Sequence, residues 1–402
     1  MLVWGTLLPY IASYFYLSDH SISNADFSIV PSIAKLIECL ANFLVSYLSQ
    51  FLSLYTIIFI FSTVGSLLIF SSSFILNPYL FSWVFGIALG LLASGIFLPC
   101  IWITWNHLPD NKAISNGFLL AGFSAGSIPF SILFTMIVNP DNHSPGDNED
   151  ENDQRVFGRD VAERVPMTIQ WLSVCYVSFI IIGLILLPRK TNVSDSKPVA
   201  AKRQSFKEVL KTKLFWNIFF IMLLSMSTQQ YVIVFYKVVA LQFINDDYYS
   251  STIGIISFFF AAVWRILFGV LLQKYYWKKI MSLVYCTATL LLICFWFALE
   301  DAAIYAFLLI FFVSLSSSYY NNGLMLAQKA FPDNRNAISG ISFSLVFSYF
   351  LPYLIDKFFT PYVGYLGSFL LVASFGVILM IQLIFYVDPK EEILIEDQAE
   401  VE

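Results

Sequence analysis

The chain has 402 residues, of which 58% are hydrophobic, 18% aromatic and only 12% charged, and its formal net charge is −5. A soluble domain carries about 25% charged residues. Half that fraction, set between long apolar runs at a mean hydropathy of +0.74, excludes a water-soluble globule and makes lipid the solvent for most of the chain.

Twelve apolar runs follow in chain order: residues 2–17, 27–48, 53–75, 79–104, 114–138, 167–187, 214–240, 250–272, 280–299, 302–327, 337–356 and 366–387. A hydrocarbon core about 30 Å thick needs roughly 20 residues of helix. Open sheet edges cannot stand in lipid, so every run is expected to be helical. The first run is short. Pro9 and Tyr10 interrupt it and no basic flank precedes it, unlike a signal peptide. It reads either as an abbreviated helix or as one missing a short leader.

Two long polar segments separate the runs. Asn139–Val165 is acidic and rich in Asn, Asp and Gly, as a solvated, largely disordered loop would be. Pro188–Lys213 is basic, and its Phe206–Lys213 part suits a short amphipathic helix at the membrane surface. With the N-terminus inside, about 15 of the 22 Lys and Arg fall on the inner side. Arg155, Arg159, Arg164 and Lys357 fall outside. Both termini are therefore expected in the cytoplasm. The Asn142 sequon lies outside, weakened by Pro145, and the Asn192 sequon lies inside.

The five cysteines form no CxxC or Cys/His cluster and read as small buried hydrophobes. No nucleophile–base pair, metal cluster or phosphate-cradling glycine loop occurs, which speaks against an enzyme. No cofactor, metal or nucleic-acid partner is expected.

One polar sentence is written twice. His107–Gly117 reads HLPDNKAISNG and Ala330–Gly340 reads AFPDNRNAISG. The first joins spans 4 and 5, the second spans 10 and 11. The second half thus repeats the first six helices later in the same orientation, a parallel repeat about an axis along the membrane normal. Pro109 and Pro332 end one helix. Asp110 and Asp333, each followed by Asn, cap the next. Lys112 and Arg335 sit at inner headgroups. The motif is a tight, well-capped turn or part of an inner gate. A third clue is FGVLLQKYYWKKIM, Phe268–Met281, where Gly269 lets the helix end approach closely before a short turn and a cationic cluster.

That last segment resembles the cytoplasmic turn signature of the major facilitator superfamily, with Gln273 where the family has Asp. The first-half copy, VSYLSQFLSLYTII, has lost it. Within that superfamily, LPDNKAISNG with the Gly-rich FLLAGFSAGS and the first helix WGTLLPYIASYF resemble the oxalate/formate antiporter and monocarboxylate transporter branch. The resemblance implies an all-α membrane protein of twelve transmembrane helices in two six-helix pseudo-repeats. It divides the chain into bundles at 1–187 and 214–388, a cytoplasmic linker at 188–213 and an acidic tail at 389–402.

An ionisable group in mid-bilayer costs at least about 2.5 kcal/mol, so it faces a partner or a water-filled cavity. Arg265 lies deep in span 8. It reads as an interhelical ion pair or as an anion-binding fork. The resemblance implies the second, since the branch binds the substrate carboxylate with an arginine there. Lys35 and Glu38 share a face of span 2. They form a self-neutralising pair or couple transport to protons. Lys237 either snorkels outward or lines an outer vestibule, with Asp246 and Asp247 as possible partners. Thr228, Gln229 and Gln230, with Tyr231 beside them, and the group Tyr319, Tyr320, Asn321 and Asn322 line a cavity or a helix contact. Gln229, Gln230, Tyr231, Tyr319 and Asn322 join Arg265 and Lys237 as substrate-binding candidates. The spaced small residues Gly86/Gly90, Gly122/Gly126 and Gly340/Ser344/Ser348 read as helix packing. Oxalate exchangers of the branch carry a lysine within helix 11. Span 11 has none here, which favours one carboxylate over two. The expected partners are a small anionic substrate, membrane lipid and, in a coupled carrier, protons; symport and exchange remain open.

Overall fold

The computed structural model describes residues 3–108, 112–146, 155–187, 206–298, 301–331 and 335–386. The long helices are α1 Trp4–Tyr16, α2 Val30–Leu48, α3 Leu54–Ser72, α4 Pro78–His107, α5 Lys112–Val138 and α6 Val165–Leu186. The second set is α7 Lys213–Ala240, α8 Asp247–Lys274, α9 Trp277–Cys294, α10 in two segments (Ala302–Ser316 and Tyr319–Ala330), α11 in two segments (Arg335–Ser342 and Ser344–Phe358) and α12 Thr360–Ile384. Among the described residues, 11 helices are long and apolar enough to cross a membrane. The remaining long helix, α1, has 13 residues and is buried almost throughout.

Local chemistry sets the helix starts. Ser53, Asn77, Thr212, Asp246 and Asp301 each accept a backbone N–H of the first turn of α3, α4, α7, α8 and α10 respectively. Pro78 follows its cap at the position where a missing N–H costs nothing. Helix α12 begins earlier than its apolar run because Gly364, at φ 67, continues the chain through a kink. The surface helix expected over Phe206–Lys213, at the end of the linker, spans only Phe206–Val209.

The contacts between halves obey a twofold pattern. Helix α5 packs on α8, α2 packs on α11, and α1 packs on α7. Exchanging each helix of the first pair for its counterpart in the other half, α5 for α11 and α8 for α2, gives the second, and α1–α7 maps onto itself. The repeated motifs carry the same message, although Pro109, Asp110, Pro332 and Asp333 lie outside the described residues, as do the side chains of Lys112, Arg335 and Gln273 and nearly all of the linker and tail. Gly269 is buried in α8. Beyond it, Lys278 Nζ donates to Tyr386 O at 2.8 Å at the end of α12, where a cation complements the helix dipole.

Gly86 and Gly90 pack as expected: an added methyl would meet Ile33 at 2.7 Å and Ala34 O at 2.6 Å. Gly122 and Gly126 do not, because nothing lies within 4 Å of either. The close α5–α8 approach is made instead at Gly117, where a methyl would stand 2.9 Å from Arg265 O. The α1–α7 approach is tighter still, since a methyl on Gly5 would stand 2.1 Å from the Ile233 carbonyl oxygen. A backbone atom cannot swing aside. Gly5→Ala is therefore expected to cost about 1–3 kcal/mol by overpacking, read as a lower thermal midpoint in detergent. The cysteines are less uniform than expected: Cys39 is buried, but Cys294 is exposed on the bundle surface.

Candidate functional site

Arg265 is 5% exposed. It reaches from α8 to two other helices. Its Nε donates to Ser317 O at 3.1 Å, at the break in α10, and its Nη1 donates to Leu120 O of α5 at 2.6 Å, across the halves. The guanidinium carbon stands 5.8 Å from the Phe123 ring centre. Among the described residues no carboxylate pairs with it. The interhelical ion pair is therefore not formed; carbonyl dipoles solvate the cation and leave its charge unneutralised.

Gln229 belongs to this region: its Nε2 donates to Ser316 O at 2.9 Å, the carbonyl beside the one Arg265 uses. Gln230 is buried nearby on α7. Asn321 belongs to the Tyr319–Asn322 polar group expected to line a cavity or a helix contact, but not to the expected substrate-binding set. It is 1% exposed and both of its amide atoms lack a hydrogen-bond partner. It follows Ser317 by four residues and so shares its helix face. That spacing was the signal available in the sequence.

Tyr349 of α11 links Arg265 to the second group, because it lies within electrostatic reach of Arg265, Lys35 and Glu38. Lys35 Nζ donates to both oxygens of Glu38, at 2.9 and 2.8 Å, with both side chains 8% exposed. Tyr320 and Tyr349 flank the ammonium at 5.7 and 5.2 Å from their ring centres. The pair is self-neutralised. Arg265, Phe123, Gln229, Asn321, Tyr349 and the Lys35–Glu38 pair thus form one region shared by both halves, with a net charge of +1 from Arg265.

Three candidates are placed elsewhere. Tyr319 packs against Tyr285 with tilted rings whose centres are 5.0 Å apart, and Asn322 Nδ2 contacts Met281 Sδ at 2.6 Å, so both face α9 inside the second half. Tyr231 points between α11 and α12, with its ring 5.6 Å from that of Phe369. All three fall on the α7 and α10 faces that close the second half, a distinction that polarity alone does not make.

Lys237 neither snorkels nor lines an open vestibule, for its side chain is 0% exposed. It sits 2.8 Å from Asp247 Oδ1 and donates to Tyr10 Oη and Ser251 Oγ, each at 2.8 Å. Tyr10 donates to Asp247 Oδ2, and Asn139 Nδ2 donates to the same oxygen at 2.9 Å. Lys237 and Asp247 belong to the second half, Tyr10 and Asn139 to the first. The α5–α6 segment adds a strap: Arg155 Nη1 donates to Leu241 O at 3.0 Å and Ser144 Oγ to Asn245 O at 2.6 Å. This end of the bundle, which carries the α1–α2, α5–α6, α7–α8 and α11–α12 connections, is closed. We call it the distal end.

The sequence of residues 1–351 matches the Major Facilitator Superfamily. No curated protein matches it. The fold is similar to that of a nucleoside transporter, NupG, at a TM-score of 0.68 and 13% identity, covering 95% of this chain and 96% of that one. It is also similar to the E. coli fucose:proton symporter FucP, at a TM-score of 0.62 and 15% identity, covering 96% and 95%. With twelve long helices among the described residues, a twofold-related pair of halves and a buried polar region between them, the chain belongs to the major facilitator superfamily and is a multi-pass membrane transporter of that type.

Proposed function

We propose that this transporter moves a small organic anion with one carboxylate, bound between the halves by Arg265. A single observation carries the reading: a guanidinium that is always charged is buried among helices with carbonyl partners and no described counter-ion. A monoanion would neutralise it, and the planar fork suits a carboxylate. Gln229 and Asn321 would orient the rest of the solute. The two bundles, 1–187 and 214–388, would rock about this site with 188–213 as their link. The distal end would be extracellular or lumenal, as the Lys/Arg distribution supports. The likeness to the monocarboxylate branch supports the same substrate class.

A second reading follows from the buried amides. Asn321, Gln229 and Gln230 suit a neutral polar solute, and the neighbours named as nucleoside and fucose carriers favour it. Uptake into proteoliposomes separates the two. Saturable uptake from a panel of labelled acetate, lactate, pyruvate, formate and oxalate supports the anion. Uptake of uridine or fucose with indifference to every carboxylate overturns it.

The Lys35–Glu38 pair acts in this reading as a neutral bolt rather than a proton carrier, because each charge is already satisfied by the other. The double variant Lys35→Met/Glu38→Gln is expected to keep the response of uptake to a pH gradient. Loss of that response with uptake retained would return the coupling role to α2.

A further inference from the structure

Asp356 is a second buried charge without an ionic partner. It lies on α11 at 5% exposure, and among the described residues no cation pairs with it. Its neighbour Lys357 is engaged elsewhere, 3.0 Å from Asp26 of the first half. Around the carboxylate stand hydroxyls. Thr360 is close enough to hydrogen-bond it, and Thr360 Oγ1 lies 2.9 Å from Ser368 Oγ. From α7 the Tyr231 hydroxyl faces Asp356, Thr360 and Ser368, yet it is fully buried and makes no hydrogen bond of normal geometry. Tyr365 of α12 also lies within electrostatic reach. The groups facing Asp356 are thus Tyr231, Tyr365, Thr360, Ser368 and the Asp26–Lys357 pair. That pair is neutral, so the pocket keeps a charge of −1.

We propose that Asp356 is a proton-loading site of the transporter, screened at the distal end by the Asp26–Lys357 bridge. A carboxylate held away from water without a cation is relieved by taking up one proton, and a hydroxyl-lined pocket accepts the neutral acid. The balance is simple: carboxylate plus hydronium gives carboxylic acid plus water, with no other bond changed. The bridge joins the two halves, so separating them at this end breaks it and opens a path to Asp356. Tyr349 precedes Asp356 by seven residues, two turns or about 10 Å along the same face of α11. The proton site therefore sits near the Arg265 region. A monoanion at Arg265 and a proton at Asp356 would leave both lone charges neutralised. That coupling role rests on the anion reading; proton binding does not.

The test is infrared spectroscopy of the lipid-reconstituted protein during a pH titration, with sodium, potassium or choline as the salt cation, and it needs no transported solute. The wild type is expected to show a protonated-carboxyl band that grows as pH falls and is the same in all three salts. Asp356→Asn should lose that band. Asp356→Glu should keep one with a displaced midpoint, which establishes that the substituted site is folded. In Lys357→Gln the band should respond faster to a pH jump. A wild-type titration unchanged in Asp356→Asn overturns the proposal. A band suppressed by sodium but not by choline overturns it in favour of a metal-cation site. An unchanged response in Lys357→Gln overturns the screening role.

Discussion

Arg265→Gln is expected to lower the apparent affinity for the transported monocarboxylate on the order of 100-fold or to abolish uptake. Removing one member of a buried charge pair costs about 2–5 kcal/mol, and each 1.4 kcal/mol is tenfold. Arg265→Lys keeps the charge but loses the fork, so it should fall between the two. Thermal stability supplies the control. Gln can still donate an amide hydrogen to the carbonyl of Ser317 or Leu120, and it removes a lone buried charge, so the thermal midpoint should hold or rise. A residue that served only to tie α8 to α5 and α10 would give the opposite pair of results, a lower midpoint and uptake that scales with the amount of folded protein. Full uptake of a carboxylate by Arg265→Gln would falsify the anion site.

Lys237→Met is expected to have the largest effect on stability. It leaves Asp247 fully buried with only Tyr10 and Asn139 as donors. Breaking a buried pair on one side costs about 3–5 kcal/mol, whereas replacing both partners with apolar groups of similar volume is often neutral. The double variant Lys237→Met/Asp247→Leu should therefore recover much of the thermal midpoint lost by the single one. The donors from the first half allow a sharper distinction. Asn139→Ala leaves the Lys237–Asp247 pair intact but removes a bond between halves. It also removes two bonds to the His143 backbone, so it should cost about 1–3 kcal/mol, less than Lys237→Met, while increasing labelling of a cysteine placed at the distal end. Equal labelling in wild type and Asn139→Ala would mean that the cluster holds the second half together rather than closing this end.

Much of this was legible in the sequence. Lipid imposes one rule, that backbone groups must bond within the segment. Length and hydropathy alone therefore locate the helices, and the repeated PDN turns reveal the symmetry. The Lys35–Glu38 pair was legible too, because partners three residues apart meet on any helix. The pairing of Lys237 with Asp247 was readable as an option. Its burial was not, since that depends on Tyr10 and Asn139 arriving from the other half.

What the sequence by itself determined was the class, the count and order of the helices, and which charges must find a place away from lipid. The tertiary structure decided what those charges meet. Arg265 meets carbonyls rather than a carboxylate because α5 comes close at Gly117 and α10 breaks at Ser317. Asp356 is left alone because Lys357, one residue on, turns about 100° around the helix to Asp26. Tyr319 and Asn322 face α9 while Asn321 shares the face of Ser317, a difference of one residue and hence of direction. Helical periodicity fixes these angles within one helix. Only the packing of twelve helices fixes what lies along each of them.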